Sequence, residues 1–157
     1  MKIKSLACAL IAFGAFGVAN AADSYNIAAT ATVNALCKFT QAAGQTLTFT
    51  NTTGGIDPSI ATDATASTTV TYHCTKGTSP TLFTATSTQD TGGNHVVKNG
   101  AAAMIYTVAL TPGGAGDGFG TGSTDKSLGV SGTITQAQFG TAAAGIYTDT
   151  LTVTVAP

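Results

Sequence analysis

The residues of this chain that are able to do chemistry are two histidines, seven aspartates and three cysteines. A catalytic base requires an imidazole that is oriented by a carboxylate and faces a nucleophile. His73 and His95 have no partners at a strand spacing that predicts such a set. The cysteines and histidines also lack the spacing of zinc ligands. We therefore predict that the protein is not an enzyme and that it holds no metal and no cofactor.

A glycine-rich stretch over residues 112–123 is the other candidate for chemistry. It contains no G-x-G-x-x-G pattern with a helix after it, as a phosphate-binding loop would. Asp117 also lies one place away from the position that a G-G-x-G-x-D calcium repeat would give it. The stretch is therefore predicted to be a flexible hairpin loop.

The N-terminal 21 residues are predicted to be a secretory signal peptide that is cleaved. Lys2 and Lys4 precede an apolar run over residues 6–18, and the small residues Ala19-Asn20-Ala21 supply a cleavage site. This run, at about 13 residues, is shorter than the about 20 needed to span a bilayer. The sequence therefore predicts export without membrane insertion.

After cleavage only Cys37 and Cys74 remain, and they allow a single pairing. In an oxidising compartment such a pair is most often a disulfide, and the alternative is two buried free thiols. Closing the loop between Cys37 and Cys74 would stabilise the fold by about 3 to 4 kcal/mol in the chain-entropy model.

The composition favours a single domain made of strands. The chain has 157 residues, of which only 8% are charged, and its net charge is -1. This balance leaves no basic surface for nucleic acid, so nucleic acid is not a predicted partner. Threonine-rich alternation of apolar and polar residues at period two predicts half-buried strands. These strands are expected at 45–50, 66–74, 80–88, 103–110, 128–136 and 145–155. Many short strands joined by Gly-rich turns predict an antiparallel sandwich or barrel.

The N-terminal end of the mature chain alternates in the same way over a longer stretch. Its apolar positions are Tyr25, Ile27, Ala29, Ala31 and Val33. At the other end the chain stops just after the strand at 145–155, where an immunoglobulin-type sandwich has a further strand. One strand is thus expected to be missing and one to be spare. A spare strand that fills the groove of an identical neighbour makes a head-to-tail contact that does not close, which predicts a fibre.

Four motifs of the sequence resemble the spore coat protein U family, which includes subunits of archaic chaperone-usher pili. The ending is similar to the family's closing strand, G-x-Y-x-D-x-L-x-V-x-V, from Gly145 to Val155. The Cys-bearing strand with its successor, the position of Cys37 after an alternating segment, and Val97-Lys98-Asn99-Gly100 before the strand at 105–108 also match. The resemblance covers essentially the whole mature chain.

The resemblance implies an incomplete immunoglobulin-like antiparallel β-sandwich that is completed by a donor strand from a neighbouring subunit. A periplasmic chaperone and an outer-membrane usher would be partners during assembly, and identical or related pilin subunits would be partners in the fibre. The implied organisation is a signal peptide at 1–21, a donor-strand extension at 22–36 and a pilin domain at 37–157. The donor residues would be Tyr25, Ile27, Ala29, Ala31 and Val33. The acceptor groove would be flanked by Tyr147, Asp149, Leu151, Val153 and Val155.

The function expected from these features is that of a structural subunit of a surface pilus, supporting adhesion and biofilm formation. The alternative is a monomeric secreted β-sandwich that binds carbohydrate through its loops. The chain has no Trp and few aromatic residues in its predicted loops, whereas sugar sites usually use aromatic platforms. A secreted hydrolase would require activity that depends on His73 or His95.

Overall fold

The computed structural model describes residues 23–157. The chain divides into two units, Met1–Thr32 and Val33–Pro157. In the first unit, residues 23–32 have no regular secondary structure and their side chains are exposed. The signal peptide predicted at 1–21 lies outside the described residues.

In the second unit, nearly all of the regular secondary structure consists of antiparallel strands. In chain order the elements are β1 (Cys37–Phe39), β2 (Ala64–Cys74), β3 (Leu82–Ser87), β4 (His95–Asn99), β5 (Ala102–Pro112), β6 (Lys126–Ile134), α1 (Gln136–Phe139) and β7 (Leu151–Ala156). The strands form a five-stranded sheet in the order β1-β2-β6-β5-β4 and a two-stranded sheet of β3 and β7. The chain therefore has the all-β, immunoglobulin-like fold that was expected.

The strands form because apolar and hydroxyl side chains alternate along them. In β2, for example, Tyr72 and Cys74 are buried, whereas Thr65, Ser67 and Thr69 between the inward positions are exposed. Threonine favours such a half-solvated strand because its branched Cβ restricts the side chain to rotamers that suit the pleat.

The buried core belongs almost entirely to the five-stranded sheet. All of the buried hydrophobic residues except Phe139 lie on β1, β2, β4, β5 and β6. A T-shaped contact between Tyr72 and Phe83, with ring centroids 5.4 Å apart, packs this core against the two-stranded sheet. No residue of β3 or β7 is fully buried.

Most of the strand predictions are confirmed, and two are wrong in an informative way. The strands expected at 66–74, 80–88, 103–110 and 128–136 correspond to β2, β3, β5 and β6. Residues 45–50 do not form a strand, and only Thr50 makes an isolated bridge, with Thr65. The closing strand begins at Leu151 rather than at residue 145, and before it only Thr148 makes a bridge, with Lys98 of β4. Strands β1 and β4 and helix α1 were not among the predicted elements.

The glycine-rich loop makes hydrogen bonds to the body of the domain through Gly116. Gly116 is buried, its N–H donates to the carbonyl of Thr78, and its carbonyl accepts from the N–H of Gly77. A Cβ at Gly116 would lie 2.3 Å from the carbonyl oxygen of Cys74, so only glycine allows this approach. The loop is closed by Asp117, which accepts hydrogen bonds from the N–H and hydroxyl of Thr124. These hydrogen bonds lower the pKa of Asp117 to about 2.

Candidate functional site

An open apolar groove runs along β7 and the residues that precede it. Its volume is about 1280 Å³, and segment 41–49 lines it together with residues 142–153. Val70, Met104 and Val130 of the five-stranded sheet also line it and supply inward-facing apolar surface. A groove of this volume with apolar lining is a candidate binding site.

The edge of β7 that borders this groove has no strand partner among residues 23–157, because β7 pairs only with β3. The N–H of Thr88 donates to the carbonyl of Thr150. The backbone groups of Thr150 therefore point toward β3. In an antiparallel pair the residues that exchange hydrogen bonds alternate with those that do not. The backbone groups of Leu151 and Val153 therefore point away from β3, and this edge is available for strand addition.

The residues predicted to flank the groove keep a strict alternation of burial. Tyr147, Asp149, Leu151, Val153 and Val155 are all half-buried, and the residues between them up to Thr154 are exposed. The first four of the five line the groove. Val155 packs instead into the cluster that contains Cys37, beyond the end of the groove.

The end of the groove near Asp149 carries a polar network. Tyr106 donates its hydroxyl to Oδ2 of Asp149 at 2.5 Å, and the N–H of Thr150 donates to Oδ1 at 2.7 Å. Burial by itself would raise the pKa of Asp149, but the hydrogen bonds, led by those from Ser87 and Tyr106, outweigh it and lower the pKa. Burial, and then the neighbouring carboxylate, raise the pKa of Tyr106. The pair fixes the start of the closing segment to β5.

The same segment is also held to β4. Lys98 and Thr148 exchange two backbone hydrogen bonds of 3.0 Å. Next to this bridge, a Cβ at Gly145 would lie 2.0 Å from Nδ2 of Asn99, so a larger residue there would displace the exposed Asn99 side chain. The motif around Asn99 and the motif that begins at Gly145 were identified separately in the sequence, and the fold brings them into contact. Nothing in their spacing indicates this contact, because it depends on β4 lying at the edge of its sheet.

The predicted donor residues belong to no strand in the single chain. Tyr25, Ile27 and Val33 are 89%, 83% and 81% exposed, and Ala29 and Ala31 are exposed too. Apolar side chains that alternate and remain in solvent are unusual in a soluble domain. Their role as a donor strand remains a prediction.

The predicted disulfide is present and joins the first two strands. Cys37 and Cys74 are directly opposite each other in the β1–β2 pair. Cys74 is fully buried, and Cys37 is only 7% exposed.

Each histidine faces a carboxylate, which the sequence did not indicate. His95 Nδ1 lies 2.8 Å from Oδ1 of Asp90. His73 Nε2 lies 2.8 Å from Oδ1 of Asp125 but makes no hydrogen bond. Among the hydrogen bonds of residues 23–157, neither imidazole contacts a hydroxyl.

Within residues 23–157, no three His, Cys, Asp or Glu side chains form a group that could hold a metal ion. In the same residues, no helix has the length and apolar character needed to cross a membrane.

The fold and the groove together define an immunoglobulin-like β-sandwich in which, within residues 23–157, the groove-side edge of β7 lies unpaired beside half-buried apolar side chains. The family model of the Spore Coat Protein U domain matches residues 23–154, and the chain belongs to this family. The family is associated with fimbrial or pilus-type surface proteins and is a structural rather than an enzymatic domain family. A comparison with curated proteins finds no significant match.

Proposed function

We propose that this protein is the repeating structural subunit of a surface pilus and that subunits join by donor-strand exchange. In this proposal, the segment at 23–34 of one subunit enters the groove of the next and pairs with the open edge of β7. The fibre would support adhesion and biofilm formation. The work of the protein is mechanical, and it uses no catalytic group.

The observation that carries the proposal is the open edge of β7 beside apolar floor residues. Leu151 and Val153 have backbone groups directed into the groove, and their side chains are only half-buried. A strand placed there would satisfy the backbone groups and would cover the half-buried side chains of Leu47, Phe49 and Val70. Because both needs are met by an extended apolar segment, a β-strand is the ligand that fits best.

The N-terminal segment has the length and the pattern of that ligand. Its five apolar positions span nine residues, from 25 to 33, and the groove-lining segment 142–153 is long enough to lie alongside all of them. Nine residues of β-strand extend over about 30 Å. With a period of two, all five side chains point to the same face and can enter the groove together.

The open groove also implies protection before assembly. An exposed sheet edge beside apolar surface invites uncontrolled pairing with other chains. We propose that a periplasmic chaperone covers the groove after export and that an outer-membrane usher is the place where the donor segment replaces it. The apolar side chains of the alternating segment at 25–33 are exposed, which is consistent with a donor strand that has not yet bound an acceptor groove.

The test uses two substitutions at neighbouring positions of the donor segment. Ile27→Asp places a charge on the face that enters the groove, whereas Ala28→Asp places the same charge on the opposite face. The exported protein is run on a denaturing gel without boiling, beside a boiled sample. We expect a ladder of subunits for the wild type and for Ala28→Asp, and we expect only the monomer for Ile27→Asp, because a buried unpaired charge is strongly unfavourable.

Boiling should collapse every ladder to the monomer. Ladders of equal length in both variants would overturn the proposal, because the segment would then not enter a groove. The absence of any ladder from the exported wild-type protein would overturn it as well and would favour a monomeric sandwich.

A further inference from the structure

Residues 34–36 join the end of the donor segment to the first strand, and they are held by contacts with Thr75. The N–H of Leu36 donates to Oγ1 of Thr75 at 3.1 Å, and the same hydroxyl donates to the carbonyl of Asn34 at 3.1 Å. The N–H of Thr75 donates to the carbonyl of Leu36 at 2.9 Å. We call this set of contacts between Thr75 and residues 34–36 the clasp.

The clasp continues the β1–β2 ladder beyond the disulfide. Cys37 lies opposite Cys74, and the backbone bond between Thr75 and Leu36 places the next pair in the same register. The chain is therefore kept extended through residues 34–36, up to the C-terminal end of the donor segment. The disulfide fixes one end of this stretch covalently, and Thr75 fixes the rest.

Strand β1 lies close to one end of the groove. Phe39 lines the groove, and Cys37 belongs to the same hydrophobic cluster as Val155 and Val153 of β7. Hairpin loops commonly need only two to five residues. If residues 34–36 were free to turn, the donor segment would be able to fold back into the groove of its own subunit.

Such a return would compete strongly with assembly. A segment tethered by a short linker has an effective concentration in the millimolar range, which exceeds that of free subunits. A subunit that filled its own groove would have no open edge and no free donor, so it would leave the fibre. A chain that polymerises therefore needs a feature that prevents the turn.

We propose that Thr75 is a positioning residue that commits the N-terminal segment to the groove of a second copy of this chain by preventing residues 34–36 from turning back. This inference rests on the proposed function and adds to it a choice between two acceptors, the subunit's own groove and that of another copy. The clasp acts through residues 34–36 and does not touch the groove itself.

The experiment uses the full chain and removes the clasp in two independent ways. Thr75→Val keeps the branched shape and deletes the hydroxyl. Leu36→Pro deletes the N–H that donates a hydrogen bond to this hydroxyl. Thr69→Val is the matched control, because Thr69 is exposed on the outer face of β2. We expect the ratio of ladder to monomer to fall on the order of tenfold in both clasp variants, since hydrogen bonds of this kind are modest individually, and to be unchanged in Thr69→Val.

A second measurement distinguishes a filled groove from a damaged one. A fluorescent peptide of residues 23–34 is added to the monomer fraction of each variant. Monomers of Thr75→Val should fail to bind the peptide because their own segment fills the groove. Adding Ile27→Asp to Thr75→Val should restore peptide binding, because the charged segment can no longer fill it.

The proposal is overturned if both clasp variants keep the wild-type ladder, or if peptide binding does not return when Ile27→Asp is added to Thr75→Val. Failure of the proposed function looks different. In that case the full chain carrying Ile27→Asp alone, with Thr75 intact, does not bind the peptide.

Discussion

The two sheets of this domain differ in how completely they are buried. The five-stranded sheet contributes nearly all of the buried hydrophobic residues, including the fully buried Tyr72 and Leu128. Strand β7 of the two-stranded sheet has the same alternation, but its inward residues Leu151 and Val153 stay half-buried. The sequence pattern is equally good in both sheets, so the difference arises from what lies beside each strand. One half of the sandwich is complete in the single chain, and the other half still has apolar surface to bury.

The largest expected effect tests this difference directly. Leu128→Ala should lower the free energy of unfolding by about 3 kcal/mol, because a buried leucine loses its packing and leaves a cavity. Leu151→Ala should cost only about 1 kcal/mol, since part of that side chain is already in solvent. Urea unfolding of the chain without residues 23–32 measures both values.

Adding the peptide of residues 23–34 should sharpen the comparison. The cost of Leu151→Ala should rise toward that of Leu128→Ala, whereas the cost of Leu128→Ala should stay the same. If the peptide changed neither value, the half-buried residues of β7 would not be the site at which the donor segment binds.

The second expected effect concerns the contact that holds the closing segment to the five-stranded sheet. Gly145→Ala should lower stability by up to about 1.5 kcal/mol, because the new Cβ pushes the Asn99 side chain out of its rotamer. Thermal unfolding checks the loss. Asn99→Ala combined with Gly145→Ala should recover much of it, and a double variant no more stable than Gly145→Ala would show that the clash is not the cause.

The smallest expected effect is a pH dependence at the polar end of the groove. Hydrogen bonds keep the pKa of Asp149 below its ordinary value of about 3.9. A carboxyl group with a lowered folded-state pKa stabilises the protein above its unfolded pKa, and this contribution is lost as the pH falls through the folded pKa. Asp149→Asn should therefore cost about 1 kcal/mol at pH 7 and progressively less below about pH 4.

The measurement is denaturant unfolding at pH values from 7 to 3. Asp23→Asn, in the exposed N-terminal unit, is the control and should leave the profile unchanged. A cost of Asp149→Asn that was the same at every pH would mean that the carboxylate charge does not contribute.

Three of the four strands that the sequence predicted correctly lie inside the five-stranded sheet, and the fourth, β3, lies in the two-stranded sheet. Strands β2, β5 and β6 lie inside the five-stranded sheet, where alternation in the sequence and burial in the fold agree. Residues 45–50 show the same alternation at Leu47 and Phe49, but they line the open groove and have no strand on that side to pair with. Alternation alone predicts which residues share a face, and it does not show whether a hydrogen-bonding partner is present.

The site was predictable as a set of residues but not as a geometry. The positions from Tyr147 to Val155 could be named because the period of two is strict. The contacts Asn99–Gly145 and Tyr106–Asp149 join residues more than forty positions apart, so only the tertiary fold brings them together. The clasp at Thr75 was missed for a simpler reason, because one threonine among many carries no distinguishing local pattern.

The docked glycine-rich loop also bears on the chemistry of the disulfide. Gly116 lies against the main chain and Cβ of Cys74, which is fully buried. We therefore expect Cys74 to be more accessible to an oxidising enzyme before the loop docks than after it. Once the loop is in place, we expect a thiol reductant to reach Cys74 through local opening of the loop, so that reduction is slower than in a variant whose loop cannot dock.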